Sequence, residues 1–117
     1  MLAWLFAGHL FGDFLLQNKW MSENKEKKIL PLLIHSAVYT AAVWLFSLRC
    51  GGLGWISVLL IIVTHVILDN RKFVKWWCKN ITRSSPSAIL AIMTDQAWHI
   101  AALVSACILD DFLKGVL

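Results

Sequence analysis

Cysteine is scarce in this chain and unpaired. Cys50, Cys78 and Cys107 are odd in number, widely spaced and contain no Cys-x-x-Cys, which leaves no legible disulfide framework or thiolate zinc site. A basic start is also missing. Met1 leads straight into apolar sequence, and no small-residue cleavage site follows, so a cleaved signal peptide is not expected. No low-complexity tract is present. The usual share of polar residues is missing too. Hydrophobic residues make up 59% of the sequence, against roughly 45–50% in soluble domains, and the mean hydropathy is +0.68. The 117 residues leave room for one domain, spanning 1–117.

What is present points to a bilayer. Seven tryptophans suit membrane interfaces, where the indole ring concentrates. The net charge of +4 is the sort of excess that can mark a nucleic-acid binder. Here the basic residues fall almost wholly between apolar runs, so orientation and anionic lipid explain them better and no nucleic acid is expected.

Four apolar runs read as membrane-spanning helices. Residues 2–18 form the first, near the lower limit of about 17 residues for a crossing. It carries Gly8 and Gly12, a GxxxG pair that permits close helix approach. Residues 19–28 form a polar loop with four lysines, two glutamates and Trp20 as an interfacial anchor. Residues 29–48 form the second span, with Pro31 in its first turn and Ala37 and Ala41 as a small packing surface. A glycine-rich turn covers 49–54. Residues 55–69 form the third span. Residues 70–87 alternate basic and aromatic side chains, Phe73, Trp76 and Trp77 among Arg71, Lys72, Lys75, Lys79 and Arg83. That pattern predicts an amphipathic segment lying on the headgroups. Ser84-Ser85-Pro86 reads as an N-cap and first-turn proline. Residues 87–109 form the fourth span, with Ala97, Ala101 and Ser105 as a small-residue stripe. Residues 110–117 read as a short tail.

The expected fold is therefore all-α: a polytopic four-helix bundle with a basic interfacial segment between helices three and four. Lys and Arg number four in the first loop, one in the second, five in the third and one in the tail. The positive-inside rule places loops 19–28 and 70–86 in the cytoplasm and both termini outward.

Three of the four histidines have an aspartate one helical turn away, all in apolar sequence: His9–Asp13, His65–Asp69 and Asp95–His99. The fourth, His35, stands alone in the second span. A single such pair is more often a hydrogen-bonded core histidine than a ligand. Three among four histidines arise by chance on the order of a few times per thousand. In the expected topology, the reversal of pair order in the fourth helix cancels its reversed direction, so each Asp lies nearer the cytoplasm than its His. At a rise of 1.5 Å per residue, Asp13, His35, His65 and Asp95 fall roughly 6–12 Å inside the cytoplasmic end, and His9 and His99 about 13–18 Å. Asp69 lies near the boundary, the most accessible carboxylate. One slab, and one site, can hold all seven.

A carboxylate in hydrocarbon costs at least ~2.5–3.5 kcal/mol, so three on different helices need compensation. His and Asp at i, i+4 can share a metal ion, and inward carboxylates and histidines of four-helix bundles host two-metal centres. The expected cofactor is one or two divalent ions, with Zn, Mn or Fe suiting imidazole and carboxylate. The candidate ligands are His9, Asp13, His35, His65, Asp69, Asp95 and His99. Asp69 and Asp95 are the candidate catalytic carboxylates. Gln17, Gln96, Arg71 and Lys72 are candidate substrate contacts, the two basic residues for an anionic headgroup. Tyr39, one turn from His35, reads as a snorkelling interfacial tyrosine, and Glu23 and Glu26 as solvated loop charges.

His9-Leu10-Phe11-Gly12-Asp13-Phe14-Leu15-Leu16-Gln17, His35, His65 to Asp69, and Asp95-Gln96-Ala97-Trp98-His99 together resemble a bacterial and phage family of small inner-membrane proteins with no assigned activity. The resemblance covers nearly the whole chain and implies a bacterial cytoplasmic membrane. More loosely, the scattered His and Asp look like those of membrane-bound metal-dependent hydrolases. The expectation is a membrane-embedded metal-dependent hydrolase acting on a lipid or phosphoester at the cytoplasmic leaflet. Membrane lipid is its surroundings, and a homo-oligomer is open. Two alternatives stand beside it: a cation or proton relay through the same side chains, and a non-catalytic scaffold in which the cluster fixes helix register.

Overall fold

Long apolar runs must pair their backbone groups, and a helix does so without a neighbouring segment. In the computed structural model, which describes residues 1–83 and 88–116, all regular elements are helical. Helix α1 (Leu2–Leu10) runs into a π-helical turn (Phe11–Leu15). A short α2 (Lys19–Asn24) follows, its first turn capped by Asn18, which accepts from the Met21 N–H at 2.9 Å. Helix α3 (Ile29–Ser47) ends in a 3₁₀ turn (Leu48–Cys50). There Gly51 and Gly52 take φ of 93° and 81°, a region where a side chain is strained. Helix α4 (Trp55–Asp69) is followed by Arg71 in the left-handed region and by α5 (Lys72–Asn80). Helix α6 (Ala88–Val116) completes the chain.

Four helices close a ring: α1 on α3, α3 on α4, α4 on α6, and α6 back on α1. The α1–α3 crossing is the tightest. A Cβ on Gly8 would stand 2.8 Å from Val43 Cα, and one on Gly12 2.9 Å from Tyr39 Cα, so the GxxxG pair lets two backbones nearly touch.

The buried stripes show three layers. On α6 they run Asp95, His99, then Leu103, Ala106, then Asp110; on α4 they run Asp69, His65, then Ile61, then Ser57. On α3 the order is His35, Ser36, Tyr39, then Val43, then Ser47. A polar layer thus occupies one end. Leu5, Val43, Ile61, Leu103 and Ala106 form an apolar middle. Around Asp110 lies a second polar layer, where the carboxylate accepts from the Gly54 N–H at 2.8 Å and pairs with Lys114 at 2.7 Å. Outside, the pattern inverts. Leu15, Ile29, Trp55, Ile89, Ile108 and Phe112 are exposed, while all four histidines are buried.

Two helices are long and apolar enough to cross a membrane, over Ile29–Cys50 and Ile89–Val116. The apolar stretches Leu2–Leu15 and Trp55–Asp69 are shorter, about 21 and 23 Å at 1.5 Å per residue, below the roughly 30 Å hydrocarbon core. The four-span expectation is therefore met in length by two helices.

Several local expectations are corrected. The tail is not a tail: α6 carries Asp110, Asp111 and Lys114 in helix to Val116. The first span is not one regular helix, because the π turn interrupts it before residue 18. Ala37, Ala41, Ala97, Ala101 and Ser105 face outward, and α3 packs through His35, Ser36, Tyr39 and Val43 instead. On α5, Val74 and Cys78 are buried, and Phe73 and Trp77 pack edge-on against Trp98 of α6, so part of the apolar face expected on the headgroups packs on the bundle. Trp76 and Ile81 stay exposed beside Lys72, Lys75 and Lys79. The cap read at Ser84-Ser85-Pro86, and Ser87 at the start of the fourth span, lie outside the described residues.

Candidate metal centre

The polar layer draws one or two side chains from each helix of the ring. Residues 57, 61, 65 and 69 of α4 share one face, which turns His65 and Asp69 inward beneath Ile61. The same i, i+4 repeat on α6 turns Asp95 and His99 inward. On the first segment the π turn carries Gly12 and Asp13, both buried, where the absent Gly12 side chain lets Asp13 approach α3. Such π turns are frequent at functional sites.

Asp13, His65, Asp69 and His99 each offer a ligand atom, and these four atoms lie within 4.8 Å of one another, all buried. His65 Nε2 stands 3.2 Å from Asp13 Oδ1, and His99 Nε2 3.5 Å from Asp69 Oδ1. Tetrahedral zinc with bonds near 2.0–2.1 Å separates its ligand atoms by about 3.3 Å, so these edges fit a metal polyhedron. His35 Nε2 lies between the two carboxylates, 3.1 Å from Asp13 Oδ1 and 2.8 Å from Asp69 Oδ2.

The outer nitrogens show how the rings are held. His99 Nδ1 is 2.7 Å from the Asp95 carbonyl oxygen, which only accepts, so Nδ1–H donates, and while the ring is neutral its lone pair lies on Nε2. That lone pair points at Asp69 Oδ1, also an acceptor, and His99 Nε2 has no hydrogen-bond partner. Two buried acceptors face one another comfortably only with a cation or proton between them. His65 Nδ1 is held by Ser36 Oγ at 3.1 Å, and the ring stacks on Tyr39 at 3.8 Å between centroids. A histidine fixed through its outer nitrogen is the usual arrangement around metals.

Charge is out of balance in this layer. Asp13, Asp69 and Asp95 are buried, and the one ammonium beside them is Lys25, itself buried, with Nζ 2.9 Å from Asp69 Oδ2. With neutral imidazoles, three carboxylates and one ammonium leave a formal −2, and an uncompensated buried charge is costly. At the rim, Glu26 pairs with Arg71 at 3.9 Å and Lys75 at 3.6 Å.

The remaining candidates are placed as follows. His9 is fully buried but both nitrogens are engaged. Nε2–H donates to Gln96 Oε1 at 2.7 Å, and Nδ1 accepts from the Tyr39 hydroxyl at 2.8 Å. It stands beside the four-atom set. Asp95 also stands outside that set, its carboxylate 3.5 Å from His99 Nδ1 and from Gln96 Nε2. Gln96 therefore ties His9 to Asp95. Gln17 is half-buried, with Oε1 unpartnered among the described residues. Arg71 is half-buried at the rim and Lys72 is exposed.

Two expectations are corrected here. Asp69 is not the most accessible carboxylate: at 1% it is more buried than Asp95 or Asp13, because loop 19–28 folds Lys25 over it. Tyr39 does not snorkel; it is 2% exposed and its hydroxyl is spent on His9. Glu26 is exposed, as expected of a loop charge, and lies beside Arg71 and Lys75. Lys25 and Ser36 are the residues that sequence reasoning missed. Ser36 gave no signal beyond adjacency to His35. Lys25 had one: three buried acids require a nearby cation, and the loop with four lysines is closest.

No curated protein and no solved structure matches the chain. A family model matches residues 1–113, and the chain belongs to that family, described as "Protein of unknown function (DUF3307)".

Proposed function

We propose that this protein is a membrane-embedded, metal-dependent hydrolase acting on a lipid or phosphoester at the cytoplasmic leaflet. The observation that carries the reading is the unpartnered His99 Nε2 facing Asp69 Oδ1 at 3.5 Å, inside a buried layer that carries a formal −2 when its imidazoles are neutral. One divalent cation answers both features.

The inverted surface supports the membrane setting, with apolar side chains outward and ionisable ones inward. All four ring helices cross, the shorter two by local thinning of the bilayer. The Lys25–Asp69 and Glu26–Arg71 pairs tie loop 19–28 to the end of α4. This suits a topology with both basic loops cytoplasmic and the polar layer beneath them.

Asp13, His65, Asp69 and His99 hold the ion, and His35 keeps the two carboxylates together through Nε2–H. Zn, Mn or Fe fits these donors. A bound ion would supply Lewis acidity and bring a water toward a pKa of about 7. Asp95 Oδ1, buried without a hydrogen-bond partner, would take the water proton and return it to the leaving alcohol as the water oxygen replaces that alcohol at the ester phosphorus or acyl carbon. Arg71 and Lys72 attract the headgroup at the rim, and Gln17 offers its amide to the substrate.

The test is elemental analysis of detergent-purified protein beside His65→Ala and Asp13→Asn, with helix content checked by circular dichroism. One equivalent or more of metal, lost in both variants, is expected. Ester hydrolysis on phospholipid vesicles should then be abolished by chelator and restored by the metal. A folded wild-type protein that takes up no metal overturns the reading.

A further inference from the structure

Lys25 has no part in holding the ion, yet it is the most deeply placed lysine of its loop. Its neighbours Lys27 and Lys28 are exposed, whereas Lys25 is 8% exposed. Met21, one helical turn earlier, is buried as well, so α2 presents a Met21–Lys25 face to the bundle. Burying an ammonium is costly unless it is paired, and here it is paired directly with a carboxylate of the polar layer.

The two oxygens of Asp69 are divided. Oδ1 faces His99 Nε2 at 3.5 Å. Oδ2 faces the Lys25 ammonium at 2.9 Å and His35 Nε2 at 2.8 Å. A carboxylate bridging two metal ions would offer one oxygen to each. In this layer the second oxygen is already occupied by a cation belonging to the chain.

We infer that the site is built for a single divalent ion, with the Lys25 ammonium permanently filling the position of a second. This rests on the metal-site reading above and deepens it. With neutral imidazoles the charge count of the buried layer agrees: three carboxylates, Lys25 and one divalent ion sum to neutrality, and a second ion would leave an excess of two positive charges. Arg71, Lys75 and Glu26 lie at the rim, outside the buried layer counted. The site then presents two unlike cations side by side, one able to activate water and one a fixed point charge. That pairing suits an anionic ester oxygen near Lys25.

The experiment is metal titration of chelator-stripped protein in detergent, with Zn²⁺ and Mn²⁺ as probes, on wild type, Lys25→Met and Lys25→Arg. Wild type and Lys25→Arg should bind one ion. Lys25→Met, with one more net negative charge, should bind a second ion or hold the first at least about tenfold tighter, given the strength of charge interactions at 4 Å. Two ions in wild type, or Lys25→Met matching wild type in number and affinity, overturns the inference. Metal bound by Lys25→Met alone overturns the single-ion inference together with the metal-site reading of the wild-type chain. No metal in any of the three overturns both. Should Lys25→Met fail to fold, Lys25→Gln keeps a polar head over Asp69 and carries the same expectations.

Discussion

Replacing Gly12 with alanine tests the link between the helix crossing and the site. The added Cβ would lie 2.9 Å from both Tyr39 Cα and Tyr39 Cδ2, whereas carbon atoms rest at about 3.5–4.0 Å. The first contact is backbone, so no rotamer change removes it, and the two segments must part by roughly 0.6 Å or more. Overpacking of this kind costs ~1–3 kcal/mol, and alanine returns ~0.5–1 kcal/mol by stiffening the unfolded chain. The net expectation is a loss of about 1–2 kcal/mol. Asp13 follows Gly12 directly, so its contacts to His35 and His65 at 3.1 and 3.2 Å should lengthen, and metal affinity should fall with stability. Gly115→Ala is the control, because nothing lies within 4 Å of its Cβ position and the substitution should be neutral or stabilising by up to ~1 kcal/mol. Thermal unfolding in detergent, followed by near-ultraviolet circular dichroism, reads both. If Gly12→Ala melts at or above wild type while Gly115→Ala behaves as expected, the close α1–α3 crossing is refuted.

The other end of the bundle should respond separately. Asp110→Ala removes the acceptor of the Gly54 N–H and the carboxylate partner of Lys114, so it should cost about 1–3 kcal/mol in the same melt yet leave metal stoichiometry unchanged; coupled loss of metal would show that the apolar layer does not insulate the two ends. Tyr39→Phe keeps the ring stacked on His65 and removes only the hydroxyl given to His9, so a loss of ~0.5–1.5 kcal/mol with metal retained is expected, and loss of metal would make Tyr39 part of the binding set. Cys50 is exposed in the turn after α3 while Cys78 is buried on α5. In intact cells a membrane-impermeant maleimide should label Cys50 and spare Cys78; labelling of Cys50 only after lysis would reverse the proposed orientation.

The spacing of chemically distinctive residues was legible in the sequence, and the packing partners were not. A turn-spaced His and Asp on an apolar helix must face the same way, so the gathering of His35, His65, Asp13, Asp69 and His99 followed from periodicity and direction alone. The GxxxG pair likewise named the face that α3 approaches. Packing by small residues was less legible, because Ala97, Ala101 and Ser105 repeat at helical spacing whether they face a helix or the outside, and only the position of α4 decides. The π turn was invisible: nothing in Phe11–Leu15 marks an extra residue in a turn. Lys25 was hidden for a different reason. Its sequence neighbours are solvated lysines, and what distinguishes it is the distant Asp69. The end of α6 was misjudged because two adjacent acids resemble a tail, whereas Asp110 is held inside by Gly54 across the bundle and by Lys114 one turn on in the same helix.

The layering also separates the enzyme from the relay. A proton or cation pathway needs polar groups or water through the full depth of the bundle. Here the polar layer stops at His9, Tyr39, His65 and His99, and the next turn of each helix supplies Leu5, Val43, Ile61 and Leu103, packed on one another. The Asp110 group begins only beyond that layer, and its hydrogen bonds go to Gly54, Ser57 and Lys114, none of which leads back toward the histidines. Conduction through one copy would require opening a close-packed apolar seal, whereas a site entered and left from the same side needs no such motion. A scaffold role has the opposite difficulty. Fixing helix register asks for one or two satisfied polar pairs, but this layer leaves His99 Nε2, His35 Nδ1 and Asp95 Oδ1 without hydrogen-bond partners. Buried groups left open in that way cost stability, and under the proposed reading a bound cation would offset part of that cost.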